Sequence, residues 1–187
     1  MALSKIDGTN FIEGTLPDTN INNASLDNVT GLPAGVGGKV LQVVTATSST
    51  KKATTGTSLV DTNLSASITP SSTSSKIFIS CTQIIQVYNS SGNYGTGRWK
   101  IVQTIDGSDT DITTGGSTGA GNVFTYDYGG SGINIYRPTN YTLLVSPNTT
   151  STITYKTQIA LGTQGGSQVN ANDDQDDGVF VLMEVAG

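Results

Sequence analysis

Taken two residues at a time, Lys76–Tyr88 (KIFISCTQIIQVY) sets Ile77, Ile79, Cys81, Ile85 and Val87 on one side of the chain. Phe78, Ser80, Thr82, Ile84, Gln86 and Tyr88 fall on the other. A period of two, rich in β-branched and aromatic residues, predicts a long strand with one fully apolar face and one mixed face. Such a strand needs neighbours to pair its backbone groups and cover its apolar side.

Neighbours are predicted on both sides of it. Upstream, Val40–Ala46 is mostly apolar, Lys51–Gly56 reads as a loop, and Thr57–Val60 and Leu64–Ile68 read as strands interrupted at Asp61 and Asn63. Downstream, the loop Asn89–Gly97 leads to Arg98–Ile105, whose alternation points Trp99, Ile101 and Ile105 one way. Asp106–Asp111 reads as a polar turn and Thr113–Gly121 as a glycine-rich loop. Val123–Tyr128, then Ile133–Tyr136 and Tyr141–Val145 around Pro138, follow as strands. Ile153–Leu161 alternates cleanly, Gly162–Gly178 reads as a long polar loop, and Val179–Ala186 (VFVLMEVA) is apolar enough to predict a strand buried on both faces. About nine strands at these spacings predict a β-sandwich. A buried last strand must pair with early ones, which selects a jelly roll with first and last strands side by side.

Residues 1–33 follow a different rule. Ile6, Phe11, Leu16, Ile21 and Leu26 recur every five residues, with the small residues Thr9, Gly14, Thr19 and Ala24 two places before the last four. The spacing resembles the pentapeptide-repeat pattern, in which large side chains stack inside a square coil. One coil cannot bury its own ends. The stretch is therefore either an extended linker or an arm that winds together with other copies. GLPAGVGG, Gly31–Gly38, breaks the pattern and reads as a hinge. The division expected is an attachment and oligomerisation arm at 1–33, a hinge at 34–38 and a jelly-roll head at 39–187.

Composition narrows the function. Only 12% of the 187 residues are charged, and the net charge of -5 with scattered basic residues argues against a nucleic-acid partner. The start, MALSKIDGTNF, lacks the apolar run of a signal peptide, and no segment is long enough to span a membrane, which predicts synthesis in a cytoplasm. The one cysteine, Cys81, lies on the apolar face of the central strand and reads as a buried structural thiol.

There is no histidine, which removes the usual general base and metal ligand. Gly115–Gly119 matches the G-x-S-x-G pattern, but in a glycine-rich loop with nothing to activate Ser117. Asp173, Asp174, Asp176 and Asp177 crowd the loop before the last strand, reading as a solvated loop or weak calcium ligands. Tyr94 with Asn93, and Tyr136 and Tyr141 beside Pro138, are candidates for stacking against sugars. No catalytic residue and no cofactor is expected.

ALSKIDGTNFIEGTLP, GKVLQVV, SASITPSSTSSKIFIS, STITYKTQ and VFVLMEVA together resemble bacteriophage fibre or spike proteins of the marine-phage type. The resemblance implies a homotrimer, with an N-terminal arm on other virion proteins (tail, portal or capsid). It also implies a jelly-roll head similar to tumour necrosis factor and complement globular heads. On this reading the chain is a non-enzymatic virion protein, a tail or head fibre whose head adheres to a host-surface glycan. A capsid decoration protein without a receptor is the alternative, and a polysaccharide-degrading spike the remote one.

Overall fold

The computed structural model describes residues 39–90, 95–113, 121–125, 133–162, 168–173 and 177–187, with backbone alone at 95, 121–125 and 133. The chain divides into two units, Met1–Gly38 and Lys39–Gly187. The first, with Ile6, Phe11, Leu16, Ile21 and Leu26 and the 34–38 hinge, lies outside the described residues. So do Gly115–Gly119.

The second unit is all-β. Its strands are β1 (Val40–Ser48), β2 (Lys52–Thr54), β3 (Val60–Ile68), β4 (Lys76–Asn89), β5 (Gly95–Ile105), β6 (Ser108–Asp111), β7 (Gly121–Thr125), β8 (Ile133–Val145), β9 (Ile153–Leu161), β10 (Gln168–Ala171) and β11 (Gly178–Val185). β4 organises the first sheet. One edge pairs with β11 over Lys76–Thr82 and then with β10 over Ile85–Tyr88; the other edge pairs with β8 along its whole length. β1 pairs with β11 and β2 with β10. Six segments thus fill four positions, in the order β1/β2, β11/β10, β4, β8.

The second sheet repeats the device. β3 pairs with β9 and β9 with β5, and the free edge of β5 takes β7 along Gly95–Trp99 and β6 along Val102–Ile105. Its four positions run β3, β9, β5, β6/β7. Eight positions in two four-stranded sheets, with first and last strands adjacent, make the jelly roll expected from the sequence.

The two inner faces supply the core. Ile77, Ile79, Ile85, Ile101, Ile153, Tyr155, Ile159, Phe180 and Leu182 are each wholly buried, and all come from alternate positions of their strands. Each buried aliphatic side chain contributes roughly 1.5–3 kcal/mol. Cys81 lies among them, and burial pushes its thiol far above the ordinary range, so it is an inert filler.

Several expected elements differ. The loop at Lys51–Gly56 contains β2, because Thr54 and Lys52 can pair with Val169 and Ala171 on β10. β10 itself lies inside what reads as the long loop Gly162–Gly178, and its Val169 and Ala171 are fully buried. The two strands around Asp61 and Asn63 are one, since a register slip between Asp61 and Ser65 absorbs the interruption. Pro138 does not break β8. That strand pairs only with β4 among the described residues, and an edge strand tolerates a residue without an N–H. The Asp106–Asp111 turn shrinks to Asp106 and Gly107, whose φ values of 49° and 79° close a two-residue hairpin between Ile105 and Ser108.

Two faces also carry surprises. The apolar side of β4 includes Gln83, wholly buried. β11 is not buried on both faces: Phe180, Leu182 and Glu184 point inward and are buried, while Val179, Val181, Met183 and Val185 stay half-exposed.

Candidate functional site

The loop between β10 and β11 starts at Asn172, held at φ 54°, a left-handed conformation that Asn tolerates better than most residues. Its backbone N–H donates to the Ile84 carbonyl at 3.1 Å. Gln83 sits at the centre of a buried relay. The Trp99 Nε1–H donates to Gln83 Oε1 at 2.9 Å, and Gln83 Nε2 donates to Asn172 Oδ1 at 3.0 Å. Asn172 Nδ2 reaches on to the Thr50 carbonyl at 3.4 Å. Gly178 makes room for the turn: a Cβ there would stand 2.9 Å from both Asn172 Oδ1 and Leu64 Cδ2. The relay satisfies buried polar groups that would otherwise cost about 1–3 kcal/mol each. It anchors the acidic loop.

Asp173 belongs to that anchor. It is buried and accepts an ion pair from Lys51 Nζ at 2.7 Å. Asp177 is exposed, and Asp174 and Asp176 lie outside the described residues. Among the described residues no three acidic, cysteine or histidine side chains gather as metal ligands.

The tyrosine candidates do not converge. Tyr136 and Tyr141 lie on one regular strand at an odd spacing, so they point to opposite faces of the sheet. Tyr141 faces the interior, edge-on to Trp99 with ring centroids 6.3 Å apart at 62°. Tyr136 is 39% exposed, and its hydroxyl accepts from Gln86 Nε2 at 2.9 Å. Gln86 in turn accepts from Asn170, so this tyrosine ends a second polar row across β8, β4 and β10. Asn93 and Tyr94 lie outside the described residues.

A third polar centre escaped the sequence reading altogether. Glu184 points inward from β11 and is 1% exposed. Ser71 donates to Oε1 through its backbone N–H at 2.7 Å and its hydroxyl at 2.6 Å, while Gln42 Nε2 donates to Oε2 at 2.6 Å. Gln42 also holds the Thr69 carbonyl at 2.7 Å. Burial by itself raises the pKa of this carboxyl. The donors on Ser71 and Gln42 outweigh it, helped by the Ser75 hydroxyl, which makes no regular hydrogen bond of its own, and hold the pKa at about 2. The signal was present in the sequence: a glutamate at an inward position of an apolar strand must find several donors.

The outer face of the first sheet is the remaining feature. Strand register places Val43, Met183, Phe78 and Leu144 in one line across β1, β11, β4 and β8. Val43 and Leu144 are each 54% exposed, and the register slip between Val40 and Gln42 turns both Val40 and Leu41 outward at 49%. Periodicity alone hid this face, because an apolar strand residue is read as core until its partner is known.

No family model matches the chain, and no curated protein matches it. Among solved structures it is similar to that of the infectious bursal disease virus Gx strain, with 16% identity over 78% of this chain and 32% of that one and a TM-score of 0.37. T=1 particles derived from infectious bursal virus follow with 13% identity over 78% of this chain and 36% of that one, TM-score 0.34. The Gt strain gives 14% identity over 78% and 38%, TM-score 0.32. The chain spans about a third of the length of these structures. Likeness this distant carries no argument, and the jelly-roll assignment rests on strand register.

Proposed function

We propose that the chain is a non-enzymatic structural protein of a virus particle. Three copies assemble, residues 1–33 attach to other virion proteins, and the jelly-roll unit is displayed outward as a fibre or spike head. The observation that carries this reading is the apolar outer face of the first sheet. Among the described residues its apolar side chains are left exposed, and exposed apolar patches of this kind mark association surfaces.

The chemistry of the described residues supports the same reading. Asp61, Asp109, Asp111 and Asp173 are ion-paired, and Glu184 is enclosed by donors. Each of these carboxylates is already engaged by a partner within the fold. The sequence resemblance to phage fibre proteins supplies the particle, and the jelly roll is compatible with the head that it implies.

Light scattering on the full chain at micromolar concentration tests the assembly: a trimer is expected, and a clean monomer refutes it. Adhesion to a host-surface glycan is the finer part of the proposal. Binding of the full chain to host cells, lost on replacing Tyr94 or the Asp173–Asp177 loop, supports it, whereas assembly without cell binding makes the protein a decoration of the capsid.

A further inference from the structure

We infer that the part of the first sheet where β8, β4, β10 and β2 lie side by side presents, on its outward face, a binding site for a neutral, hydroxyl-rich saccharide. The inference rests on the adhesive part of the reading above and gives that part its site and its ligand class. Strand register sets two cross-strand rows there. Asn134, Tyr88 and Gln168 form one, and Tyr136, Gln86, Asn170 and Ala53 form the next. On β4 both rows fall on the parity opposite to the buried Ile85 and Val87, so they turn outward.

The second row is a support. Gln86 and Asn170 are buried, Asn170 donates to Gln86, and Gln86 Nε2 donates to the Tyr136 hydroxyl at 2.9 Å. A ring held in this way loses little freedom when a ligand stacks on it. Tyr88 stands diagonally across from Tyr136, about 7–8 Å away by strand geometry. It is half-buried, with the exposed Asn134 on one side and the half-buried Gln168 on the other. Two aromatic rings flanked by amides suit the apolar faces of sugar rings and the hydroxyls around their rims. Ala53, at the far end of the second row, is small and exposed, so no long side chain rises from β2 beside Asn170.

The chemistry of the rows selects the ligand. Neither row holds a carboxylate, a lysine or an arginine, and Lys52 and Arg137 fall on the opposite parity. An acidic sugar, a phosphate or a nucleic acid would call for guanidinium or ammonium partners. Amide side chains offer a donor and an acceptor together, and so does a hydroxyl. The row also has an acceptor to spare: Asn170 Oδ1 is buried with no hydrogen-bond partner. Such an oxygen costs free energy until a donor meets it, and a hydroxyl is a donor.

The test passes the full chain over immobilised neutral oligosaccharides of glucose, galactose, mannose and N-acetylglucosamine, and over sialylated and uronic-acid ones. Wild type should be retained by a neutral member and not by the acidic ones. Tyr136→Ala should weaken retention about tenfold and Asn134→Ala about threefold. Ser67→Ala, on the other sheet, should leave it unchanged. Should Tyr136→Ala fail to fold, judged by its unfolding midpoint, Asn134→Ala on the exposed edge strand decides. Retention on neutral sugars that ignores these substitutions overturns the site, and retention on acidic sugars alone overturns the ligand class. Cell binding that depends on Tyr94 or the Asp173–Asp177 loop and not on Tyr136, or that occurs without retention on any sugar, also overturns the inference. All of these leave adhesion standing. No retention together with no binding to host cells overturns both.

Discussion

The two outer faces of this sandwich are built on opposite rules. On the β3–β9–β5–β6/β7 sheet, Lys156 Nζ bridges Asp61 at 2.9 Å and Asp109 at 3.0 Å, Gln158 adds a bond to Asp61 at 2.6 Å, and Lys100 pairs with Asp111 at 3.4 Å. Ser67 and Thr154 pair across strands at 2.8 Å. That face satisfies itself in water. The β1–β11–β4–β8 face offers Val43, Phe78, Leu144 and Met183 to solvent and almost no charge. The core between them is shared, so the difference lies in the surfaces themselves: one is satisfied by its own charges and hydroxyls, the other is apolar.

Neighbouring residues on β4 give the strongest way to break this contrast. Ile79 is wholly buried and Phe78 is half-exposed on the opposite side. Ile79→Ala should cost about 2–5 kcal/mol in denaturant unfolding at every protein concentration, because it opens a cavity in the core. Phe78→Ala should cost less, and its cost should grow with protein concentration if copies cover the face. Equal, concentration-independent losses would erase the distinction between inner and outer sides.

Glu184 comes next. Its folded pKa of about 2 lies below the ordinary 4.5, so its stabilisation is complete above pH 4.5 and is lost as pH falls toward 2. The shift corresponds to about 3 kcal/mol. Glu184→Gln should remove most of that pH dependence over the same window, measured by urea unfolding at stepped pH. An unchanged acid limb would show that the Ser71 and Gln42 donors do not act as described.

The charged face should yield the smallest effect. Lys156→Met should change stability by about 0–1 kcal/mol and weaken the salt dependence of unfolding, because exposed ion pairs are screened. The neighbouring Asp109 is held below its ordinary pKa by hydrogen bonds from Thr104 and Lys156, and Lys156 is held above its own chiefly by Asp61 and Asp109. A loss of several kcal/mol here would mean that the polar face does more than keep the protein in solution.

Strand alternation made the architecture legible. Ile153–Leu161 runs with the expected boundaries, the long strand from Lys76 extends by one residue to Asn89, and the last strand pairs with the first. What escaped depends on partners distant in sequence. Gln83 sits in an apolar row and becomes sensible only when Trp99 and Asn172 reach it. Glu184 is closed by Ser71, 113 positions away. β2 has three residues, too short for any period to register. Pro138 suggested a loop because its damage depends on whether β8 is central or at an edge, which only topology decides. Nearness in sequence pairs Tyr136 with Tyr141, whereas strand parity sends them to opposite faces.

The most direct measurement is the molar mass of the full chain by light scattering at micromolar concentration. One chain weighs 19.3 kDa. Three times that value, falling toward one chain at lower dilution for Val43→Lys/Leu144→Lys than for wild type, is the predicted result. A mass of a single chain, with the apolar sheet face left in water, would contradict the account.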